Sequence, residues 1–511
     1  MPVFNFVRRS FYRDSVTLMR VSRDVERVPG VTSVAVMMGT PANRALLAEA
    51  GLLADEGAAA AASDLVVAVR ADSEAAAVAA REAAERALLA RPVVGAASAE
   101  RPRTLAAALR ATPQASLALI SVPGPYAAAE ARKALARGLH VMLFSDNVPL
   151  EAEIELKRLA LERGRLLMGP DCGTAIVDGV PLGFANAVPR GRIGLAAASG
   201  TGLQEVACVI AREGEGVSQA LGVGGRDLSD AVGGIMTLRA LELLAADADT
   251  EVVCVVGKPP GPAVASRLAA ALGRIGKPVV VYVPPLAGTA AAVIQPSSAV
   301  HLAHTLEDAG RAAVALARGK TPSSPNFTLA DDDVQALVAA ALGRIRPSGR
   351  YVRGVYAGGT LAYEALALLA ERLAGVPVSP AVAGPGHRVI DLGDDAFTVG
   401  RPHPMLDARI RREWIEKEGR DPETAALLLD VILGYGTPPD PVGDLLPAIR
   451  SAHDDGRVAV IASVCGTDAD PTPRAAQVAA LRAAGVIVLD SNAQAARLAA
   501  AIAARAGAAA R

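Results

Sequence analysis

Apolar positions along this chain fall into short β-branched runs separated by longer stretches with helical spacing, and the two alternate from end to end. Runs at Val3 to Tyr12, Val31 to Met38 and Asp64 to Val69 predict strands, and Asp14 to Val28, Pro41 to Gly51 and Ser73 to Leu89 predict helices. The implied unit is a small α/β module of ferredoxin-like plan over residues 1–98. Strands at Ser116 to Val122, Val141 to Phe144 and Leu166 to Met168, joined by helices at Ala127 to Arg137 and Pro149 to Arg163, predict a parallel Rossmann-like sheet over 99–189. Two flavodoxin-like domains are expected over 190–320 and 345–511. A linker and helix over 321–344 separate them, where Thr321-Pro322-Ser323-Ser324-Pro325 interrupts the pattern. The fold class is therefore multidomain α/β.

The last two domains repeat one another. Gly191 to Glu205 (GRIGLAAASGTGLQE) and Gly349 to Glu364 (GRYVRGVYAGGTLAYE) each read as a strand, a turn of small residues and a helix start. Thr201 corresponds to Thr360 and Glu205 to Glu364, both pairs 159 positions apart (360 minus 201, 364 minus 205). A helix N-terminus offers unpaired N–H groups and the positive end of a dipole, which suits an anion. Ser199, Gly200, Thr201 and Gly202, with Gly358, Gly359 and Thr360, are thus candidate phosphate-binding residues. Ser199 and Thr201 also suit a plain helix-capping turn with no ligand, but the recurrence of the motif favours the anion. The loop Gly222 to Asp227 (GVGGRD), with Gly222, Gly224 and Gly225, is a candidate substrate loop or a plain strand-to-helix turn. Asp171 and Cys172 follow a strand end, and Cys172 reads as a buried structural thiol. His387 and His403 lie in Gly/Pro-rich loops that serve either function or turning.

Composition narrows the class. A chain of 511 residues exceeds a single core, and its formal net charge of −1 with 3% aromatics argues against a nucleic-acid partner. No long uncharged apolar run predicts a membrane span, and the opening lacks a signal-peptide pattern, so a cytoplasmic location is expected. Four dispersed cysteines suggest neither a metal cluster nor a disulfide framework.

Longer stretches carry a family resemblance. From about Arg103 to Gly288 the chain resembles the α subunit of succinyl-CoA synthetase. The shared stretches are ISVPGPY (Ile120 to Tyr126), MGPDCGT (Met168 to Thr174), GRIGLAAASGTGLQE and GVGGRD. From about Gly349 onward it resembles the carboxyl-terminal domain of the β subunit. With NFVRRSFYRDSVTLM near the start and RPHPM at Arg401 to Met405, the fused order most resembles the FdrA family of acyl-CoA-synthetase-like proteins. In the synthetase, a Gly-rich loop binds CoA, a histidine of the ligase domain carries phosphate, and an ATP-grasp domain binds nucleotide. Here no such loop stands between residues 96 and 115, Pro284 to Pro296 contains no histidine, and only a short linker stands where the nucleotide domain would precede the β-type domain. His301 and His304 lie a little beyond and are candidate replacements.

Members of this family resemble a subunit of oxamate carbamoyltransferase, which exchanges a carbamoyl group between carbamoyl phosphate and oxalurate in allantoin breakdown. That resemblance implies carbamoyl phosphate and a small carboxylate such as oxamate as ligands, and two unrelated partner subunits. No cofactor is fixed by it, and CoA and phosphate are the candidates. Glu205 matches the carboxylate that orients the synthetase phosphohistidine, with Glu364 as its repeat mate. Arg226, Arg401 and His403 are the candidates to polarise a carbonyl. An acid–thiol ligase and a non-catalytic anion or acyl-CoA sensor remain as other readings.

Overall fold

The computed structural model describes the chain apart from residues 12, 14, 90–101, 285–292, 381–383, 399–401, 456 and 510–511. The chain divides into two compact units: Met1–Arg101 with Asp395–Pro402, and Pro102–Asp394 with His403–Arg511. Among the described residues it builds four sheets.

The first unit holds β1 (Val3–Arg8), β2 (Val31–Met38) and β3 (Leu65–Ala71), antiparallel in the order β1-β3-β2. Helices Ser15–Glu26 and Glu74–Leu89 cover one face. Central β3 is apolar on both sides: Leu65, Val67 and Val69 join the core under these helices, and Val66 and Ala68 pack with Leu47 and Leu52 on the other face. That two-sided burial is why its sequence reads as a continuous apolar run. The described strands and the two long helices follow the first five elements of the expected ferredoxin-like β-α-β-β-α-β plan, with helices Pro41–Glu49 and Asp55–Ala58 set between β2 and β3.

The second unit contains three sheets. β4 (Leu117–Ile120), β5 (His140–Leu143) and β6 (Leu167–Met168) form a parallel Rossmann-like sheet. The next sheet runs β13-β12-β11-β9-β10-β7-β8. Its strands are β7 (Thr174–Val177), β8 (Val180–Gly183), β9 (Arg190–Ala197), β10 (Val217–Gly222), β11 (Val252–Val256), β12 (Val279–Tyr282) and β13 (Val300–Ala303). The last sheet is parallel, in the order β15-β14-β16-β17-β18. It comprises β14 (Tyr351–Tyr356), β15 (Arg388–Asp391), β16 (Thr424–Ile432), β17 (Ala459–Cys465) and β18 (Ile487–Leu489).

One boundary differs from the sequence reading. The seven-stranded sheet reaches back past residue 190, because β7 and β8 form a hairpin and Ile176 pairs with Ala220 of β10. Its turn is Asp178-Gly179, both at positive φ, a pairing that matches the twist of a two-residue hairpin.

Alternation along β9 joins the domains. Ile193, Leu195 and Ala197 face a core that also contains Leu361, Ala365 and Ala496 of the last domain. Ala196 and Ala198 face the core shared with Val141, Leu156 and Met168 of the Rossmann-like part. The two flavodoxin-like domains therefore share one interior, and their helix N-termini are fixed relative to each other by packing.

Candidate functional site

Each repeat begins its first helix at the carboxyl edge of its sheet. β9 leads through Ser199 into helix Gly200–Arg212, and β14 leads through Gly358 into helix Gly359–Ala370. Ser199 is extended, and its Oγ accepts the Gly202 N–H at 2.9 Å, so it caps the helix as its residue type favours. The same Oγ lies 2.5 Å from Thr360 Oγ1. The two helix starts thus meet within one chain. Glycine is required at 202, because an added Cβ would stand 2.7 Å from Ser199 Oγ and 3.2 Å from Thr360 Cγ2. Among the described residues, the N–H groups of Gly200, Thr201, Gly359 and Thr360 have no hydrogen-bond partner. They are the donors available to an anion.

Gly358 does not belong with them. Asp430, fully buried on β16, accepts the N–H of Gly358 at 2.8 Å and of Ala357 at 3.0 Å, and pairs with Arg411 at 2.9 Å. The turn before the second helix is therefore filled by an internal carboxylate. Burial raises the Asp430 pKa, and Arg411 opposes that rise.

Glu205 and Glu364 point into the interior. Both are almost completely buried. Glu364 Oε1 accepts the Leu306 N–H at 2.6 Å, at the start of helix Leu306–Ala317, and Oε2 accepts Asn492 Nδ2–H at 2.7 Å. Burial pushes its carboxyl up to about 8. Glu205 is also raised by burial, against Arg212 at 3.8 Å and a hydrogen bond with the Cys465 thiol, and its Oε1 has no hydrogen-bond partner among the described residues. Both serve the contact between domains.

Arg226 is committed elsewhere. Its Nε pairs with Glu153 at 2.8 Å and its Nη2 donates to Val148 O at 2.8 Å. Glu153 in turn holds buried Lys157 at 2.8 Å, which reaches Asp227 at 2.8 Å. Asp227 receives the Thr237 N–H at 2.8 Å near the start of helix Ile235–Ala246. The GVGGRD loop thus locks the Rossmann-like sheet to its neighbour. Gly222 and Gly224 are dictated by close backbone approach: added Cβ atoms would stand 2.4 Å from Thr174 O and 2.7 Å from Pro170 O. Gly225 has open space around it.

His403 accepts the Met405 N–H at 3.2 Å through Nδ1, and burial lowers its pKa to about 4, so it is a neutral turn-forming ring. His387 accepts the Val352 N–H at 3.1 Å and is likewise held to about 4. Cys172 is a buried thiol pushed up to about 12, donating to Gly222 O at 3.2 Å. Arg401 lies outside the described residues. Burial lowers the His301 pKa, and His304 is exposed just before the Thr305 cap.

Two residues beside the paired helix starts were not anticipated. Asp391 ends β15; its Oδ1 accepts the Gly393 N–H at 2.9 Å, and its Oδ2 lies 2.5 Å from where a Cβ on Gly359 would be. Burial pushes it up to about 6, with Lys258 pulling the other way. Lys258 is exposed after β11, its Nζ 5.8 Å from the centre of the Tyr363 ring. Both stand at strand carboxyl ends, where ligands collect in such sheets, and that was the available signal.

Among the described residues no group of three or more His, Cys, Asp or Glu is placed to hold a metal, and no helix is long and apolar enough to cross a membrane.

Comparison with known proteins fits this architecture. Residues 355–502 match the CoA-ligase family model, and residues 1–103 match the model described as "AllF, heavy metal-associated domain". Residues 1–103 contain no cysteine and no histidine, so thiolate and imidazole ligands are absent from them and methionine supplies the sulfur they have. A succinate–CoA ligase [ADP-forming] α subunit of Aquifex aeolicus (strain VF5) is 29% identical over 175 residues, 33% of this chain and 56% of that one. The dinucleotide-forming acetyl-coenzyme A synthetase 1 of Ca. Korarchaeum cryptofilum covers 77% of this chain and 84% of its own, at 17% identity and TM-score 0.32. The uncharacterized protein YahF of Escherichia coli (strain K12) is 38% identical over 514 residues, 96% of this chain and 97% of that one. With that correspondence from end to end, the chain belongs to the YahF family and carries a CoA-ligase domain in its carboxyl-terminal part.

Proposed function

We propose that this chain is an enzyme subunit of the acid–thiol ligase type that holds an acyl phosphate, or the phosphate it releases, between its two helix N-termini. The observation that carries this reading is the 2.5 Å contact of Ser199 Oγ with Thr360 Oγ1, which brings the free N–H groups of Gly200, Thr201, Gly359 and Thr360 to one place. Fixed donors facing a phosphate stabilise charge as it develops on the leaving group. The CoA-ligase match over 355–502 supports the same class.

A finer reading follows from the sequence. No histidine lies between Pro284 and Pro296, so the phosphate is better placed on a small molecule than on protein there. Carbamoyl phosphate fits: the amide nitrogen of oxamate bonds to the carbamoyl carbon, and the carbon–oxygen bond to phosphate breaks. Phosphate leaves with that electron pair, and the nitrogen's proton passes to phosphate or solvent. This is the FdrA-type oxamate carbamoyltransferase reading, and it includes partner subunits. The acid–thiol ligase reading is favoured instead by the ligase relatives and calls for CoA.

Calorimetric titration of the full chain with CoA, inorganic phosphate and carbamoyl phosphate tests these readings. Phosphate or carbamoyl phosphate binding that is lost in Thr201→Pro supports the cradle, since proline removes one N–H near the start of the helix. Micromolar CoA binding places the chain with the ligases. No binding of any of the three to the chain or its reconstituted complex overturns the proposal.

A further inference from the structure

Asp391 sits beside donors yet is itself an acceptor. Its Oδ2 lies against Gly359, the first residue of the second helix, and has no hydrogen-bond partner among the described residues. Asp430 lies behind the same turn, with both oxygens taken by Ala357, Gly358 and Arg411. Lys258 comes from the other repeat, is exposed, and has no ion-pair partner among the described residues. One cation and one open carboxylate oxygen thus lie beside the second helix, whose first N–H groups belong to the cradle. A ligand carrying a carboxylate at the Asp391 end meets like charge. A ligand carrying N–H groups there meets an open acceptor.

We propose that Asp391 and Lys258 form the acyl-reading end of this cradle. Asp391 accepts hydrogen bonds from the NH2 group of a carbamoyl phosphate, and Lys258 pairs with its phosphate. The site thereby selects carbamoyl over acetyl phosphate, which has a methyl group in the same place. This inference rests on the acyl-phosphate reading of the cradle. A methyl group facing Asp391 leaves a partly buried carboxylate unpaired, which is the source of discrimination in sites built to bind N–H groups. Burial keeps the Asp391 pKa high and Lys258 draws it down, as expected for a carboxylate facing a cation in a half-closed site.

The test is calorimetric titration of the full chain with carbamoyl phosphate, acetyl phosphate and inorganic phosphate, with thermal melting as a fold control for each variant. Wild type is expected to prefer carbamoyl over acetyl phosphate by about 10- to 100-fold. Asp391→Ala is expected to erase that preference while keeping inorganic phosphate binding, and Asp391→Asn to restore part of it. Lys258→Ala is expected to weaken all three ligands by a similar factor. Equal affinity for the two acyl phosphates in wild type, or a preference unchanged in Asp391→Ala, overturns the inference and leaves the cradle standing. Failure of wild type to bind any of the three, as the chain and as its reconstituted complex, overturns the cradle and this inference together.

Discussion

Ser199 and Thr360, 161 residues apart in sequence, share a 2.5 Å hydroxyl contact that joins the first helices of two repeated domains. Ser199 does two things at once, since it also caps its own helix through Gly202 N–H. Ser199→Ala is expected to cost about 1–2 kcal/mol by removing both. Thr360→Val keeps the shape and the cap, and is expected to cost about 1 kcal/mol. The double variant should cost less than the sum, because each single change breaks the same contact. Trp414, the sole tryptophan, reports unfolding of the last domain in denaturant. Strict additivity would remove the contact from the account.

Lys157 has no exposed surface and faces two buried carboxylates, Glu153 and Asp227, at 2.8 Å each. Lys157→Met removes the cation and leaves both acids in a dry interior. A loss of about 3–5 kcal/mol is expected, as for other broken buried pairs. The effect should be local, loosening the Rossmann-like sheet from the next one, so hydrogen exchange should rise over β5 and β10 before it rises over β16. A uniform rise would show that the network does not act at that joint.

The repeat, the helix starts and the Ser199 cap were legible because each depends on residues close in sequence. Small residues after an apolar strand define the turn, and an oxygen at the N-cap finds an N–H three positions on. The partners of Glu205, Glu364 and Arg226 were not legible, because Cys465, Leu306 and Glu153 come from distant elements. Asp430 left a trace: a charge inside the apolar run of β16 must be paired when buried. Its occupation of the Gly358 N–H has no local signal, since it depends on β16 lying beside β14. Asp391 and Lys258 were missed for the same reason: each is an unremarkable strand-end residue until the two repeats are packed together.

Glu364 should make the protein less stable as pH rises toward its native value. An ordinary carboxyl ionises near 4.5, and this one near 8, raised first by burial and further by Glu205 and Glu307. Between those values the native state holds a proton that the unfolded chain has lost, so stability falls by up to about 1.4 kcal/mol per pH unit. From about pH 6.5 to 8 this group is separated from Asp391, whose raised value is about 6. The denaturant midpoint of wild type should fall across that interval relative to that of Glu364→Gln, in which the contribution of His387 and His403 is unchanged. A wild-type midpoint that rises there relative to the variant contradicts the assignment.

His387 and His403 act in the opposite direction. Each is held to about 4 by burial, then by a nearby arginine: Arg353 for His387 and Arg411 for His403. Their stabilising share is full above the ordinary value of 6.5 and is lost as pH falls from there toward 4, because the unfolded chain takes up protons first. The ring C–H resonances of both should stay fixed from about pH 8 to about pH 5.5. Movement of the His403 signal near neutral pH would return it to the candidates that polarise a carbonyl.

Acyl selectivity should itself depend on pH if Asp391 reads the ligand. The groups around it are Lys258 after β11, Tyr363 on the second helix, Asp394 in its own loop, Asp430 on β16 and the neutral ring of His403, which lies with Asp391 against Gly393. Of these, Lys258 favours its ionised form, and Asp394 and Asp430 oppose it. Above about 6 the carboxylate accepts N–H bonds from a carbamoyl group; below that it carries a proton and turns donor. The ratio of carbamoyl to acetyl phosphate affinity should therefore fall as pH drops from about 7.5 to about 5. Both ligands carry the same phosphate, whose own protonation largely cancels in the ratio. Asp391→Asn should give a ratio that is flat with pH, and a wild-type ratio that is equally flat would mean that another group, or none, reads the acyl end.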